Sequence, residues 1–323
     1  MRAFMLNEPG AAPVLTGTTP PLPGPGEVQI RVAACGLNFA DLLMIEGKYQ
    51  ESPALPFALG METAGTIEQC GSGVQGLPPG TRVAAFIGAG GLADYAVCDA
   101  ARCIAIPDAM PFTTAAGFLV AYGTSHLALD HKAGLRAGET LLVLGAAGGV
   151  GLTAVEIGHR MGARVIAVAR GAERLKVARA AGADITLDSD TVDLRAECRA
   201  LGGVDVVYDA VGEPLATPAL RALRPEGRFL TIGFAGGKVP QFPGNLLLVK
   251  NLSVMGLYWG GYLRFAPQVL TGSLGKLMAL YADGKLSPHV SHVLPLERAA
   301  EGLELLRSRR ATGKVVIALD DSE

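Results

Sequence analysis

The spacing of apolar residues changes along the chain, and the change separates two kinds of predicted structure. Before residue 121, segments at 27–32, 63–70 and 81–86 alternate apolar with polar positions, and clusters of proline and glycine separate them. Alternation at every second position is typical of strands with one buried face. We therefore predict a β-rich amino-terminal region with many turns.

Beyond residue 121, short apolar runs alternate with segments of helical period. The predicted strands span residues 141–144, 164–168, 185–187, 204–208 and 228–232. The predicted helices between them span residues 152–161, 173–181, 194–199 and 215–223. Such alternation predicts an α/β fold in which helices cover both faces of a doubly wound parallel sheet. Further helical patterns cover residues 113–129, 268–280 and 298–307, and a last strand is predicted at 313–318.

The first strand of this sheet ends at a run of very small residues. The run is Gly145, Ala146, Ala147, Gly148, Gly149, Val150 and Gly151, and we predict that a helix begins just after it, at Leu152. Such a turn lets the backbone approach a pyrophosphate, whose charge is met by free N–H groups and by the positive end of the helix dipole. The spacing Gly145-x-x-Gly148-x-x-Gly151 therefore predicts a dinucleotide site, with a tight turn that binds no ligand as the alternative.

The end of the second strand of such a sheet distinguishes NAD from NADP. An acidic residue at this place binds the ribose 2′-hydroxyl of NAD, but here Ala169 is followed by Arg170 and, one helical turn later, Arg174. Two guanidinium groups without a carboxylate favour a 2′-phosphate, so we predict NADPH as the cofactor. The alternative is that both arginines are solvated residues paired with Glu173.

Composition limits the possible partners and compartment. The 323 residues have room for two domains, and a net charge of −2 gives no general attraction to nucleic acid or anionic membranes. No apolar run qualifies as a transmembrane span, and the first residues lack the pattern of a signal peptide. The 5 cysteines form no C-x-x-C pair, so we expect reduced thiols in a cytoplasmic protein without nucleic-acid or membrane partners.

Several short motifs occur together in the order of a known family. They lie at residues 34–41 (ACGLNFAD), 60–65 (GMETAG), 122–124 (YGT), 145–151 (GAAGGVG), 209–212 (DAVG), 232–235 (IGFA) and 312–316 (TGKVV). On these motifs the chain resembles the medium-chain dehydrogenase/reductase superfamily over nearly its full length. Within that superfamily it is similar to the zinc-free NADPH:quinone oxidoreductases related to zeta-crystallin.

The resemblance implies a Rossmann domain at residues 122–262, inserted in a GroES-like substrate domain formed by residues 1–121 and 263–323. It implies a cleft that holds the nicotinamide, and a homodimer that pairs the edge strands of two Rossmann sheets near residues 252–257. It also implies a set of cofactor contacts. Asn38 and Thr124 are expected near the nicotinamide, Gly233, Phe234 and Ala235 along its ribose, and Lys314 as a further contact.

The residues at the zinc positions of the superfamily favour chemistry without a metal. Zinc alcohol dehydrogenases have a cysteine where Asn38 stands and a histidine where Met61 stands, and an amide and a thioether are poor zinc ligands. We therefore predict no metal site. Reduction of a simple ketone produces an alkoxide that needs strong stabilisation. A reduced quinone is a phenolate, comparable with tyrosine at a pKa of about 10, so quinones or conjugated carbonyls are the expected substrates.

Tyr49 leaves an alternative open. The segment 44–49 (MIEGKY) also resembles that of mitochondrial-type enoyl thioester reductases, in which the matching tyrosine is implicated as a proton donor. Tyr49 is therefore a candidate proton donor, a substrate contact or a packing residue. Our hypothesis is an NADPH-dependent reductase of quinones or conjugated carbonyls. The alternatives are a C=C reductase of enoyl or acryloyl thioesters or of 2-haloacrylate-type acids, and a structural NADPH-binding protein without catalysis.

Overall fold

The computed structural model describes residues 1–320, and strands and helices alternate along most of that range. The strands are β1 Arg2–Leu6, β2 Val14–Gly17, β3 Glu27–Gly36, β4 Phe57–Ala58, β5 Glu62–Cys70, β6 Arg82–Phe86, β7 Tyr95–Asp99, β8 Cys103–Ala105, β9 Thr140–Leu144, β10 Arg164–Ala169, β11 Ile185–Asp188, β12 Val204–Asp209, β13 Leu223–Thr231, β14 Ser253–Gly256, β15 Val290–Pro295 and β16 Lys314–Ala318. The helices are α1 Phe39–Ile45, α2 Phe112–Ala116, α3 Leu119–His126, α4 Gly149–Arg160, α5 Ala172–Ala180, α6 Leu194–Ala200, α7 Ala216–Ala222, α8 Gly244–Lys250, α9 Tyr262–Phe265, α10 Pro267–Ala282 and α11 Ala299–Arg307.

The chain forms two compact units. The first unit is Met1–Val120 together with the chain from Pro288 onward, and the second is Ala121–Ser287. The first junction lies next to the predicted one, whereas the second lies between residues 287 and 288 rather than between 262 and 263. Helices α9 and α10 therefore belong to the second unit, because α10 is bonded there. Its Ser273 hydroxyl lies 2.8 Å from His126 Nδ1 of α3.

The first unit is built on antiparallel strands, as the alternating pattern predicts. Its main sheet has the order β15-β16-β3-β5-β6-β8, with β7 also paired to β3, and a smaller sheet has the order β2-β1-β4. In β3, the side chains of Val28, Ile30 and Val32 point to one face, where they enter a buried cluster with Ile67 of β5. Among the strands described in this unit, the pair β15–β16 at the sheet edge is parallel and the others pair antiparallel.

The second unit confirms the predicted parallel sheet. The strand order is β11-β10-β9-β12-β13-β14, and all of the neighbouring strands are parallel. This is the doubly wound order in which the chain reverses direction across the sheet beside the first strand, β9. Leu142 packs on one face with residues of α6 and α7. Leu141 faces α4, since a Cβ at Gly158 would lie 2.4 Å from its side chain. Both faces are therefore covered.

The length and polarity of the helices bear on whether any of them could span a membrane. Within residues 1–320, each helix is too short or too polar to cross a bilayer.

Candidate functional site

The small-residue run forms a turn between β9 and α4, at the carboxyl edge of the parallel sheet. Helix α4 begins at Gly149, earlier than the predicted Leu152, so Gly149, Val150 and Gly151 form its first turn. The amides of a first turn have no acceptor within the helix. The residue before the helix, Gly148, has no side chain that could accept from them. The structure thus presents a row of N–H groups at the positive end of a helix dipole.

The backbone and packing require glycine at two positions in this turn, 145 and 151, but not at a third, 148. Gly145 has a φ of +74°, which favours glycine, and a Cβ at Gly151 would lie 2.1 Å from the Gly145 carbonyl oxygen. Gly148 has neither constraint. Its φ is −81°, and a Cβ there would meet only the Gly145 carbonyl oxygen, at an ordinary 3.5 Å. Within residues 1–320, no contact therefore requires a glycine at position 148, whereas the close approach of a ligand would require one.

Arg170 and Arg174 lie where the second strand of the sheet ends. Arg170 follows β10 directly, and its Nε lies 3.2 Å from Asp190 Oδ1, with both side chains more than half exposed. Arg174 is in the first turn of α5 and donates from Nη1 to the Arg170 carbonyl oxygen at 3.2 Å. Arg170 thus has Asp190 as an ion-pair partner, whereas the sequence-based alternative considered Glu173.

The predicted ribose-contacting loop, Gly233–Phe234–Ala235, follows β13 at the same edge. The Gly233 amide donates to the Asp209 carbonyl oxygen at 3.2 Å, and the Ala235 amide donates to the Ala210 carbonyl oxygen at 3.2 Å. These bonds tie the loop to the end of β12. A Cβ at Gly233 would meet only the Ala210 carbonyl oxygen, at 3.6 Å. Contacts within residues 1–320 would therefore allow a Cβ at position 233, as they would at position 148.

Asp209 is a buried residue whose role was not predicted, although it opens one of the quoted motifs. It ends β12, and in the sheet register it lies beside Leu144 of β9 and Thr231 of β13. Its Oδ1 accepts from the amides of Val211 and Gly212, at 2.8 and 2.9 Å. Burial raises the pKa of this carboxyl. Asp209 therefore shapes the loop to which residues 233–235 are bonded.

Thr124 lies on α3 in the second unit, with 7% of its surface exposed. The preceding residue, Gly123, must be small because a Cβ there would lie 2.6 Å from Trp259 Nε1. The indole thus packs directly on the backbone of α3 next to Thr124.

In the first unit, Asn38 belongs to a buried network of charges. Lys314 Nζ donates to Glu62 Oε1 at 2.5 Å, to Asn38 Oδ1 at 2.7 Å and to the Leu37 carbonyl oxygen at 2.8 Å. Asn38 Nδ2 in turn donates to Glu62 Oε1 at 2.9 Å and to the Gly36 carbonyl oxygen at 3.3 Å. An ammonium group has three protons, and all three are used here. This network holds the Asn38 amide in one orientation.

The network changes the interpretation of Lys314, which the resemblance offered as a cofactor contact. Its side chain is 8% exposed, that of Glu62 is 1% exposed, and no proton of the ammonium is left for a cofactor. Glu62 Oε2 also accepts from the Val120 amide at 3.0 Å. Sequence inspection could have indicated this carboxylate, since Glu62 is a single charge at the start of the apolar segment 63–67.

Asp41 adjoins this network. Asp41 Oδ2 accepts from the Asn38 amide at 2.8 Å at the start of α1, and burial raises the pKa of Asp41 to about 6.

Tyr49 lies beyond α1, where its ring is partly buried against the apolar cluster that contains Leu42, Ile45 and Phe57. The packing interpretation of Tyr49 therefore has a structural basis, and its proton-donor role stays a prediction. Within residues 1–320, no group of three or more His, Cys, Asp or Glu side chains could hold a metal ion.

The described residues therefore gather the predicted cofactor contacts in two places. The turn 145–151, the arginines after β10 and the loop 233–235 share the carboxyl edge of the sheet in the second unit, and such an edge is where ligands bind in open α/β sheets. Asn38 and Lys314 share the buried network of the first unit.

Two family models match successive parts of the chain. The family model for the alcohol dehydrogenase GroES-like domain matches residues 24–108, and that for zinc-binding dehydrogenase matches residues 149–272. A curated relative, the quinone oxidoreductase-like protein 2 homolog of Nematostella vectensis, is 38% identical over 98% of this chain and 88% of its own length.

Solved structures with similar folds include NADPH complexes. The quinone oxidoreductase of Thermus thermophilus, also solved with NADPH, superposes with a TM-score of 0.88 at 34% identity, covering 99% of this chain and 100% of that chain. The Escherichia coli quinone oxidoreductase complexed with NADPH superposes with a TM-score of 0.90 at 29% identity, covering 98% of this chain and 99% of that chain.

Proposed function

Because the chain belongs to the medium-chain dehydrogenase/reductase superfamily, in its quinone oxidoreductase-like family, we propose that it is an NADPH-dependent reductase of quinones or other conjugated carbonyls that works without zinc. The observation that carries this proposal is the turn between β9 and α4. Its first-turn amides have no acceptor within the helix, and Gly148 is small without any contact that requires it. A pyrophosphate group needs both properties.

The rest of the cofactor fits the same edge of the sheet. Arg170 and Arg174 would bind the 2′-phosphate, and their charge replaces the carboxylate that suits NAD. The 2′-phosphate then competes with Asp190 for Arg170. Because that ion pair is largely exposed, it is weak and can exchange. The loop 233–235 would lie along the nicotinamide ribose, where Gly233 leaves room for the approach of a sugar.

The roles of the chain in catalysis are binding and orientation. Bound NADPH supplies the hydride. Thr124 offers a hydroxyl on a residue that is 7% exposed, and we assign it to the nicotinamide carboxamide. The contact of Asn38 with the cofactor stays a prediction, and within the first unit its amide is held by Lys314 and Glu62. Fixed groups of this kind lower the entropic part of the barrier.

The network around Asn38 also supports chemistry without zinc. The Lys314 ammonium already supplies the positive charge beside Glu62 and Asn38, and a second cation there would be repelled. Without a Lewis acid, the substrate must give a weakly basic anion on reduction, and a quinol anion meets this condition.

Edge strand β14 supports the expected homodimer. It is the last strand of the parallel sheet, and helix α8 before it exposes Leu248 by 78% and Val249 by 73%. An unpaired edge beside exposed apolar side chains favours pairing with a second copy of the chain. We propose that two copies join their sheets at β14.

The test is NADPH oxidation by a panel of acceptors: benzoquinone, a naphthoquinone, a conjugated enone, crotonyl-CoA, acrylate and a saturated ketone. We expect turnover of the quinones and the enone, and none of the saturated ketone. The Tyr49→Phe variant separates the alternatives, with Tyr95→Phe on β7 as the matched control. Turnover of crotonyl-CoA alone, lost only in Tyr49→Phe, would instead identify an enoyl reductase. Tight NADPH binding with no acceptor turned over would identify a binding protein.

A further inference from the structure

Buried hydroxyl groups join the helix that carries Thr124 to the turn proposed for the pyrophosphate. We propose that Ser125 is a positioning residue, whose hydroxyl fixes α3, and with it Thr124, to the first turn of α4. The inference rests on the proposed function, in which Thr124 contacts the nicotinamide and residues 145–151 hold the pyrophosphate. Ser125 would thus set the spacing between the two ends of the cofactor site.

The contacts of Ser125 all lead toward the cofactor turn or the central sheet. The residue is fully buried. Its Oγ donates to the Val150 carbonyl oxygen at 2.8 Å, and it lies 2.8 Å from Thr153 Oγ1 and 3.0 Å from the Tyr208 hydroxyl. Val150 is one of the three residues that form the first turn of α4. Ser125 is therefore bonded to the backbone of the turn itself.

Thr153 makes the second link between the two helices. Its Oγ1 lies 3.0 Å from the Ala121 carbonyl oxygen of α3 and 3.0 Å from the Val150 carbonyl oxygen of α4. The two helices are thus joined by side chains from both sides, Ser125 reaching from α3 and Thr153 from α4. A rotation or shift of α3 relative to the turn would break both links.

The three hydroxyl groups of this network have fewer protons than contacts, because each hydroxyl has a single proton to donate. When Ser125 gives its proton to the Val150 carbonyl oxygen, Tyr208 is the donor in its bond to Ser125. Burial raises the pKa of Tyr208 and keeps this hydroxyl protonated.

Thr124 takes no part in this network, although it is the neighbour of Ser125. Consecutive residues of an α-helix point about 100° apart, since 3.6 residues make one turn. When Ser125 faces α4, Thr124 therefore faces another direction. A displacement of about 1 Å in a group that orients a substrate can lower the rate about a hundredfold. Ser125 can thus affect catalysis without touching the cofactor.

The test compares Ser125→Ala with Ser273→Ala. Both serines are buried. Ser125 lies on α3 and bonds to the cofactor turn, whereas Ser273 lies on α10 and bonds to His126 of α3. The measurements are kcat with a quinone, the Kd of NADPH, the Kd of adenosine 2′,5′-bisphosphate and the melting temperature. The bisphosphate carries only the adenosine end of the cofactor, so it does not report on Thr124.

We expect Ser125→Ala to lower kcat about tenfold and to weaken NADPH several-fold, while the bisphosphate Kd changes less than about twofold. Ser273→Ala should lower the melting temperature similarly and leave kcat unchanged. Tyr208→Phe keeps the ring and removes only the donor to Ser125, so a smaller loss of kcat is expected. This variant also keeps the proposal testable if Ser125→Ala does not fold.

Several outcomes would overturn the assignment. These are an unchanged kcat and NADPH Kd in Ser125→Ala, an equal loss of bisphosphate affinity, and an equal loss of kcat in Ser273→Ala. Failure of the proposed catalytic function would look different, because the wild-type protein would then bind NADPH without reducing any acceptor. In that case the change in NADPH affinity relative to bisphosphate affinity still decides the role of Ser125.

Discussion

The charged network of the first unit and the glycine turn of the second differ in how far their polar groups are satisfied. Lys314 uses all three of its protons on Glu62, Asn38 and Leu37. The first turn of α4, which has no charged side chain, leaves amides without an acceptor in the helix. A buried charge is therefore a weaker sign of a binding site here than a set of uncharged groups whose hydrogen bonds are not made.

The size of side chains shows the same contrast. In the first unit, a Cβ at Gly36 would lie 2.1 Å from the Ala116 carbonyl oxygen, so packing within the protein explains that glycine. In the turn, packing explains Gly151 but not Gly148. A glycine that neither the backbone conformation nor packing within the protein requires indicates the close approach of a ligand. The predictions below test this division of roles between a positioning network and a ligand-binding turn.

The largest effect is expected in the network. Lys314→Met leaves the Glu62 carboxylate, which is 1% exposed, without its positive partner. Loss of one member of a buried ion pair costs about 3–5 kcal/mol, which urea unfolding would measure. The double variant Glu62→Gln with Lys314→Met should recover much of this loss. A Lys314→Met protein of normal stability that no longer bound NADPH would restore Lys314 as a cofactor contact.

The next largest effect is expected in the turn. Gly148→Val adds a Cβ whose nearest neighbour within residues 1–320 is the Gly145 carbonyl oxygen, at an ordinary 3.5 Å, so the unfolding free energy should fall less than in Gly151→Ala. NADPH affinity should fall about a hundredfold or more, equivalent to about 3 kcal/mol. Gly151→Ala is the control, because its Cβ would lie 2.1 Å from the Gly145 carbonyl oxygen and should destabilise the fold itself. Undiminished NADPH affinity in Gly148→Val would contradict the assignment.

A smaller and selective effect is expected at the arginines. Arg170→Ala combined with Arg174→Ala removes the proposed partners of the 2′-phosphate, so NADPH affinity should fall about tenfold to a hundredfold. NADH affinity should change little. Arg179→Ala, at the opposite end of α5, is the matched control for a general change in charge. An equal loss of NADH and NADPH affinity would show that the arginines do not read the 2′-phosphate.

The smallest effect is a pH dependence of stability from Asp41, whose folded pKa of about 6 is raised by burial. Between the ordinary pKa of an aspartate, 3.8, and the folded pKa of about 6, the folded state binds more protons than the unfolded state. The free energy of unfolding therefore falls as pH rises through this window. The expected loss between pH 5 and pH 6 is about 1 kcal/mol. Asp41→Asn should remove this slope while its amide oxygen still accepts from Asn38. An unchanged slope in that variant would assign the titration to another group.

Local patterns sufficed to predict the parallel sheet and the turn. The apolar runs and their spacing predict every strand from β9 to β13, because a buried parallel strand and its following helix are contiguous in sequence. The start of α4 was placed too late at Leu152, since glycines are poor helix formers and only the structure shows Gly149–Gly151 in helical conformation.

Interactions between distant residues could not be predicted in the same way. Lys314 and Glu62 are 252 residues apart, and no local pattern indicates that they meet. The periodicity of α10 predicts a helix but not its partner, and the bond from Ser273 to His126 joins α10 to the second unit, whereas the resemblance implies the first. Zinc independence, the homodimer, the cytoplasmic location and the absence of nucleic-acid partners stay predictions.

The most direct test of the difference between the two regions is amide hydrogen exchange of the wild-type protein with and without NADPH. If the turn holds the pyrophosphate, exchange in a peptide covering residues 145–151 should slow markedly when NADPH binds. A peptide covering Lys314 should change little, because its amide already donates to the His289 carbonyl oxygen at 3.0 Å and its ammonium has no proton left for a cofactor. Slower exchange around Lys314 with no change at residues 145–151 would contradict the account.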